Sequence, residues 1–322
     1  MQVRHGLDGL RTVAPRAVLS VGNFDGVHRG HQRLLRIARG IADRANVPLA
    51  VATFEPHPLT VLNPAAAPPR LTPPSAKADL LAEQGVDELI ILPPTPDVLN
   101  TTAEGFWAIL RDDIRITALV EGESFTFGKG RGGTIERVRE WAARDGVELR
   151  IVSAEQAVLL DLSVVDVNST IVRWLLGHGR ARDAAILMGR PYTLRGEVVK
   201  GFQRGRTIGV PTANLKCDGQ MIPPDGVYAA RCAIDGATYP VALSIGTLPT
   251  FGDSARQIEG HLIGYAGDLY GRTIDLQVVD WLRDQMKFPG LDALKAQLAR
   301  DIAEVQRRTA IEPTRQIAQL VV

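Results

Sequence analysis

Short apolar runs alternate with amphipathic stretches through roughly the first 150 residues. The apolar runs predict strands over residues 17–21, 48–54, 88–92, 118–120 and 147–152. Between them, apolar residues recur at helical spacing over residues 31–42, 106–110 and 134–143. This alternation is typical of βα units around a parallel sheet, so we predict a doubly wound α/β domain. The prolines within residues 63–74 exclude a helix interior and predict a loop.

The pattern changes near residue 190. Two short helices are predicted over residues 169–177 and 181–188, and Gly189 and Pro191 form a stop signal. Strands follow over residues 194–200, 226–234, 238–245, 257–265 and 273–280, with Asp235 and Gly236 as a hairpin turn. Residues 291–308 predict a final amphipathic helix. We therefore expect an antiparallel β-barrel closed by a helix, and domains covering residues 1–186 and 187–322.

Charge and composition narrow the classes of partner. The 322 residues include 37 Lys and Arg against 36 Asp and Glu, a net charge of +1. A protein that binds a long polyanion usually carries an excess of positive charge, so we expect no nucleic-acid partner. Any phosphate group that this chain recognises should belong to a small molecule. The chain has only two cysteines, so we expect reduced thiols rather than a disulfide framework. Without a secretion signal or a long apolar run, we expect a cytoplasmic protein with no membrane partner. The oligomeric state stays open.

The strongest local signal follows the first predicted strand. It comprises Gly22, Asn23, Phe24, Asp25, Gly26, Val27, His28, Arg29, Gly30 and His31. A helix that begins after a strand offers unpaired N–H groups to a phosphate. His28 and His31 are three residues apart, so both imidazoles can face one ligand and stabilise charge on an α-phosphate during nucleotidyl transfer. Gly30 lets a flat group approach the backbone. The alternative is two surface histidines in a glycine-rich turn.

A second glycine-rich and basic segment begins the predicted barrel. Its candidate ligand-binding residues are Gly201, Arg206, Gly209, Pro211, Thr212 and Asn214. Glycines free the backbone to wrap phosphates. Thr212 and Asn214, as alternate residues of a strand, would point the same way and could share one magnesium ion. The alternative is a turn-rich barrel edge in which Thr and Asn only form turns.

The first half resembles bacterial FAD synthetases, which carry a His-x-Gly-His signature within a Rossmann-like nucleotidyltransferase domain. The resemblance extends to residues 53–58, 125–133 and 168–173. It implies that Gly22, Asn23, Phe24, Asp25 and Gly30 contact ATP, and that Ser169, Thr170 and Arg173 form a second phosphate loop. Ser124 stands where the family often has Asp, and Asn168 where it has Ser. His57 is open to two interpretations, a functional residue or a rigid part of a loop.

The second half resembles riboflavin kinases, first in the Pro-Thr-Ala-Asn motif at residues 211–214. Segments 224–229, 244–251, 259–262 and 267–271 follow in the same order. The resemblance implies that Glu259 is catalytic and takes the proton from the riboflavin 5'-hydroxyl as it attacks the γ-phosphate of ATP. It also implies that the candidate residues of segment 201–214 bind ATP or flavin, and that Arg283 contacts flavin. Without the flanking motifs, an exposed strand carboxylate would be the favoured interpretation of Glu259.

Together these resemblances imply a bifunctional enzyme. Its barrel would phosphorylate riboflavin to FMN with ATP, and its α/β domain would adenylylate FMN to FAD, with Mg²⁺ at both sites. Two alternatives stay open. One is a chain that has kept the kinase alone, with the first half weakened at Ser124 and Asn168. The other is a flavin- or nucleotide-binding regulator without turnover.

Overall fold

The computed structural model describes residues 1–201, 205, 209–248 and 253–310. The chain divides into two compact units: residues 1–68 with 74–156 form the first, and residues 69–73 with 157–322 form the second. The second unit includes segment 169–177, which precedes the predicted boundary between residues 186 and 187, and segment 181–188, which spans that boundary. Where the two predicted activities divide along the chain stays a prediction.

The first unit contains a parallel sheet of six strands in the order β1-β4-β3-β2-β5-β6. The strands are β1 (Gln2–His5), β2 (Val18–Gly22), β3 (Leu49–Phe54), β4 (Glu88–Leu92), β5 (Ala118–Gly122) and β6 (Glu148–Val152). The predicted α/β architecture is confirmed. The sequence analysis missed β1 because it is mostly polar and mostly exposed, which its place at the sheet edge permits.

Helices cover both faces of this sheet. They are α1 (Gly6–Arg11), α2 (Arg29–Ala45), α3 (Leu59–Leu62), α4 (Pro74–Glu83), α5 (Pro96–Asn100), α6 (Ala103–Ala108) and α7 (Ile135–Asp145), and α6 continues into a π-helical segment, Ile109–Ile114. One core cluster contains Leu19 of β2, and another contains Val18 with Leu35 of α2. Because successive strand residues point to opposite faces, each face of β2 contributes to its own core. Within the proline-rich segment, residues 63–74, Pro64–Ala66 form a short 3₁₀ turn and Pro74 begins α4.

The second unit is built around a closed barrel with strand order β10-β13-β12-β11-β14-β9. Its elements are β7 (Gln156–Val158), which starts at the last residue of the first unit, β8 (Val164–Asp166), α8 (Ser169–Gly177), α9 (Ala181–Met188), β9 (Tyr192–Val199), β10 (Ala213–Lys216), β11 (Gly226–Ile234), β12 (Ala237–Leu248), β13 (Asp253–Leu262), β14 (Thr273–Arg283) and α10 (Leu291–Thr309). All the barrel pairings in the described ranges are antiparallel, as predicted.

Alternation along the barrel strands separates an apolar interior from an outer face. Ile258 and Leu262 of β13 lie in the same core cluster as Leu243 of β12. Helix α10 covers part of the outer face, where Val305 packs with Ala229. The hairpin turn was predicted correctly: Asp235 and Gly236 have φ values of 50° and 84°. Positive φ at both central residues matches the twist of the flanking strands.

Candidate active sites

The loop between β2 and α2 brings the two predicted catalytic histidines into contact. His28 is the N-cap of α2, and its Nδ1 accepts a hydrogen bond from the His31 backbone N–H at 3.4 Å. The two rings stack with centroids 3.6 Å apart, and Phe24 lies 5.0 Å from the His31 ring. His28 is 6% exposed, whereas His31 is partly exposed. A stacked imidazole pair therefore lies at the positive end of a helix dipole, where anions bind favourably.

The backbone of this loop is unusual. Phe24, Gly26 and Val27 have φ values of 46°, 86° and 38°. A β-branched residue with positive φ is strained, and Val27 is also buried. The Gln32 side chain donates to the Val27 carbonyl at 2.8 Å and helps hold this conformation. Strain that the surroundings maintain is common at ligand-binding loops.

Segment 53–58 packs against the same loop. Thr53 Oγ1 donates to the Asn23 carbonyl at 2.9 Å, and the Asn23 amide lies 3.3 Å from His57 Nε2. Leu59 N–H donates to His57 Nδ1 at 3.1 Å, which orients that ring. Thus Asn23 and His57 are neighbours, while Asp25 is buried within the loop and Gly30 lies in the first turn of α2. No observation assigns these residues to a ligand, so their ATP contacts stay predictions.

The predicted second phosphate loop is the start of α8, in the second unit. Asn168 caps this helix by accepting from Ile171 N–H at 2.9 Å, so its substitution for Ser preserves the cap. Ser169 and Thr170 occupy the first turn, and Arg173 Nε donates to the Pro69 carbonyl at 2.7 Å. That these residues bind the triphosphate contacted by the histidines stays a prediction.

In the barrel, Asn214 of β10 lies directly opposite Glu259 of β13. Glu259 is also in register with Ser244 of β12, so polar residues occupy one row across three neighbouring strands. Ile258 points into the core, which places Glu259 on the outer face, where it is partly buried. Gln285 adds a hydrogen bond from its amide to Ser244 Oγ at 3.0 Å. Sequence reasoning missed Ser244 as a member of this row and Gln285 as its partner, because Ser244 lies on β12 and Gln285 follows β14.

Contacts with neighbouring residues restrict the conformation of the Pro-Thr-Ala-Asn segment, residues 211–214. A Cβ atom at Gly201 would overlap the Asn214 amide, so the glycine makes room for that side chain. His261 Nδ1 lies 2.7 Å from the Pro211 carbonyl, which ties the segment to β13. Strand β10 begins at Ala213, so Thr212 lies just before the strand rather than within it.

Cavities lie at both ends of the short pairing between β10 and β13. One, of about 460 Å³, is lined by Thr212 with Val198, Leu262, Tyr265 and Tyr270. The other, of about 560 Å³, is lined by Asn214 with Gly201, Lys200, Lys216 and Arg256. The predicted magnesium ligands therefore line different cavities, and their sharing of one ion stays a prediction.

Of the remaining predicted residues, Arg283 has clear structural partners. Its guanidinium forms an ion pair with Asp301 of α10 at 2.7 Å and lies 5.8 Å from the centre of the Phe288 ring. Both side chains of the ion pair are largely buried, so Arg283 joins β14 to the closing helix. The contact of Arg283 with flavin stays a prediction.

Three predicted residues of the glycine-rich segment remain. Pro211 and Gly209 are exposed, with a φ of 82° at Gly209. Arg206 lies outside the described residues.

Two kinds of feature are absent from the described parts of the chain. None of their helices is both long and apolar enough to cross a membrane. Nor do they contain a cluster of three or more His, Cys, Asp and Glu side chains able to hold a metal ion.

Comparison with known proteins covers nearly the whole chain. Residues 10–161 match the family model for FAD synthetase, and residues 188–309 match that for riboflavin kinase. The bifunctional riboflavin kinase/FMN adenylyltransferase of Escherichia coli (strain K12) is 36% identical over 305 residues, which cover 94% of this chain and 96% of that protein. The protein of the same name from Pseudomonas fluorescens is 34% identical over 312 residues, or 96% of this chain and 98% of that protein.

A solved structure supports the same conclusion about the fold. It is titled a macrolide-efflux protein from Streptococcus pneumoniae, and it matches with a TM-score of 0.82 at 30% identity, covering 95% of this chain and 99% of that chain. Its title describes that protein alone. The two family models, in their order along the chain, and the full-length relatives establish that this chain belongs to the bifunctional riboflavin kinase/FMN adenylyltransferase family.

Proposed function

We propose that the second unit phosphorylates riboflavin to FMN with ATP, that the first unit adenylylates FMN to FAD with release of pyrophosphate, and that Mg²⁺ serves both steps. The pairing of Asn214 with Glu259 beside a cavity carries the kinase assignment. The stacked His28 and His31 at the start of α2 carry the adenylyltransferase assignment.

In the kinase step, Glu259 acts as the general base. Its carboxylate accepts the proton of the riboflavin 5'-hydroxyl while that oxygen forms a bond to the γ-phosphorus of ATP. The bond between the γ-phosphorus and the bridging oxygen breaks, and ADP leaves. The position of Glu259 on the outer face of the barrel supports this role, because a base must reach a substrate outside the apolar core.

The cavity beside Thr212 is our proposed site for ATP. Val198 and Leu262 provide apolar surface, and the Tyr265 ring provides an aromatic wall. Its volume of about 460 Å³ falls in the range of small-molecule sites. The Thr212 hydroxyl at the same cavity would lie toward the phosphates. Gly209 and Arg206 are proposed phosphate contacts, and Arg283 a flavin contact, on the basis of the family motifs.

Thr212 and Asn214 suit Mg²⁺ because both offer side-chain oxygen atoms, the donor type that this hard cation takes. Mg²⁺ usually takes few protein ligands and completes its coordination with water and substrate phosphates. The space that Gly201 leaves for the Asn214 amide supports a fixed orientation of that ligand. When bound, the ion would neutralise charge that shifts between phosphate oxygens during transfer.

In the adenylyl step, an FMN phosphate oxygen attacks the α-phosphorus of ATP, and pyrophosphate leaves. His28 and His31 stabilise the negative charge that develops on the α-phosphate oxygens. The N-terminus of α2 adds its partial positive charge in the same place. Ser169, Thr170 and Arg173 are proposed contacts to the outgoing phosphates.

We also propose a cytoplasmic location. Burial raises the pKa of the Cys217 and Cys232 thiols to about 11 in each case, so both stay protonated and unreactive at neutral pH. Protected, unpaired thiols are compatible with a reducing compartment.

One assay tests both activities. The purified full-length protein is incubated with riboflavin, ATP and MgCl₂, and FMN and FAD are separated by chromatography. We expect FMN to appear first and FAD to follow, with neither formed when EDTA replaces magnesium. Accumulation of FMN without FAD, even when FMN is supplied, would refute the adenylyltransferase assignment. Failure to form FMN would refute the kinase assignment.

A further inference from the structure

Glu121 is a buried acid between the central strands of the first unit. It is the penultimate residue of β5 and is 2% exposed. Leu119, on the same face of the strand, belongs to an apolar core cluster together with Leu19. Burying a carboxyl group among apolar side chains is costly unless the group is neutral and hydrogen-bonded. Packing alone therefore does not account for an acid at this position.

The Glu121 side chain bonds to the neighbouring strand where backbone pairing ends. Val21 N–H donates to Glu121 Oε1 at 2.7 Å. In the first unit, which is described throughout, β2 pairs with β5 no further than Leu19–Leu119. By contrast, β2 stays paired with β3 as far as Gly22, and β5 with β6 as far as Gly122. The two backbones therefore separate toward their carboxyl ends, and the Glu121 carboxyl group serves as acceptor for Val21.

This separation lies at the switch point of the sheet. Strands β3, β4 and β1 extend to one side of β2, and β5 and β6 extend to the other. In open α/β sheets, ligands bind in the crevice outside the carboxyl ends of the strands at this point. Val21 is followed directly by Gly22, where the loop that carries His28 and His31 begins. The position of Val21 thus determines where that loop starts.

We propose that Glu121 is a positioning residue for adenylyl transfer, whose carboxyl group holds Val21 in place and keeps the crevice between β2 and β5 open for the nucleotide. This inference rests on the proposed function of the His28 and His31 loop. Desolvation raises the pKa of Glu121 well above its ordinary value, and the Val21 hydrogen bond offsets only part of that rise. Burial thus favours the neutral form of this group, and its Oε1 accepts from Val21 N–H.

Three full-length variants test this role. Glu121→Gln keeps a neutral group with a carbonyl oxygen, Glu121→Leu keeps the approximate size without an acceptor, and Glu121→Asp withdraws the carboxyl group by one methylene. FAD formation from FMN and FMN formation from riboflavin are measured on the same samples, well below the unfolding temperature. The kinase activity of each sample controls for the amount of active protein, and thermal unfolding of the same samples shows whether the first unit, which contains Glu121, is folded.

We expect Glu121→Gln to retain FAD formation within about twofold of the parent. Glu121→Leu and Glu121→Asp should lower kcat/KM for ATP in that reaction by about tenfold to a hundredfold, because small displacements in a reacting site are costly. FMN formation should be unchanged in all three. If Glu121→Leu is insoluble, the comparison of FAD formation between Glu121→Gln and Glu121→Asp decides whether the position of the acceptor oxygen matters.

Several results would overturn the proposal. Full FAD formation in Glu121→Leu and Glu121→Asp would refute it, and a simultaneous loss of FAD formation in His31→Ala would show that the proposed function still stands. An equal loss of FAD formation in Glu121→Gln and Glu121→Leu would mean that the acidic proton, rather than the acceptor oxygen, is required. A fall in FAD formation that matches a loss of folded first unit in thermal unfolding would indicate a purely structural role. A parent that makes FMN but no FAD would refute the proposed function itself.

Discussion

Asn214 and Glu259 face each other across neighbouring barrel strands, as directly opposed residues of β10 and β13. Directly opposed residues point to the same face of a sheet, and neighbouring strands are about 4.8 Å apart. The proposed magnesium ligand and the proposed general base are thus one strand spacing apart. That spacing suits a hydroxyl group that attacks a phosphoryl group held by the metal.

Replacing Glu259 with Gln tests the general base directly. The amide keeps the shape of the carboxylate but cannot accept the proton, so FMN formation should fall by about 10²- to 10⁴-fold. FAD formation from supplied FMN should be unchanged. Glu197→Gln, which alters an exposed carboxylate on barrel strand β9, is the matched control and should retain both activities. FMN formation by Glu259→Gln at a rate near that of the parent would make Glu259 only a strand carboxylate.

The histidine pair can be tested without removing the helix cap. His28→Asn retains a side-chain acceptor suited to the N-cap of α2 but removes the imidazole. Loss of roughly 3 kcal/mol of transition-state stabilisation should lower FAD formation about a hundredfold, and His31→Ala should behave alike. Riboflavin phosphorylation should persist in both variants. The exposed His5 provides a control as His5→Ala. Equal loss of both activities in folded protein would contradict the assignment of two sites.

A single methyl group at Gly201 tests the orientation of Asn214. Gly201→Ala places Cβ where the Asn214 amide lies, so the side chain must move. We expect a tenfold or larger fall in FMN formation, by analogy with about 10²-fold effects of small misplacements at reacting sites. Gly290→Ala is the control, because its Cβ would meet no atom within 4 Å. Titration of FMN formation against magnesium should show a higher requirement in Gly201→Ala. An unchanged magnesium requirement would argue against Asn214 as a ligand.

The burial of Glu121 predicts a particular pH dependence of stability. Its pKa lies well above the ordinary value of 4.5 in the folded protein. Above about pH 4.5, the unfolded chain releases this proton while the folded chain keeps it, so this group lowers the free energy of unfolding as pH rises toward the folded pKa. Glu121→Gln removes that contribution. The free energy of unfolding of the variant minus that of the parent, from urea unfolding, should therefore increase as the pH rises above about 4.5 toward the folded pKa of Glu121. A difference independent of pH would mean that Glu121 is ionised in the folded protein.

Two fragments test where the second unit begins. Val172 and Leu175 of α8 and Leu187 of α9 share a core cluster with Tyr192 of the barrel. A fragment of residues 157–322 keeps these contacts and should fold and make FMN but no FAD. A fragment of residues 187–322 exposes that part of the core and should unfold at a lower temperature. Equal melting temperatures for the two fragments would show that α8 and α9 contribute nothing to barrel stability.

Local chemistry in the sequence was sufficient to predict many of the helices, strands and turns of this molecule. Helices α8 and α9 occupy the predicted residues because Asn168 caps one and Gly189, with a φ of 69°, ends the other. The hairpin at Asp235 and the strands on either side could be predicted from the sequence equally well. Caps, turns and apolar periodicity depend on residues close together in the chain, so the sequence alone determines them.

Only the tertiary structure decided which distant residues meet. The sequence analysis passed over Glu121, although an acid in an otherwise apolar strand was a visible signal, because its partner Val21 lies 100 residues away. The same holds for Asn214 and Glu259, which become neighbours through barrel closure, and for Thr212, which lines a different cavity from Asn214. Strand order and register arise from the packing of the whole core. The residue types needed for the chemistry were therefore determined by the sequence, whereas their pairing was determined by the fold.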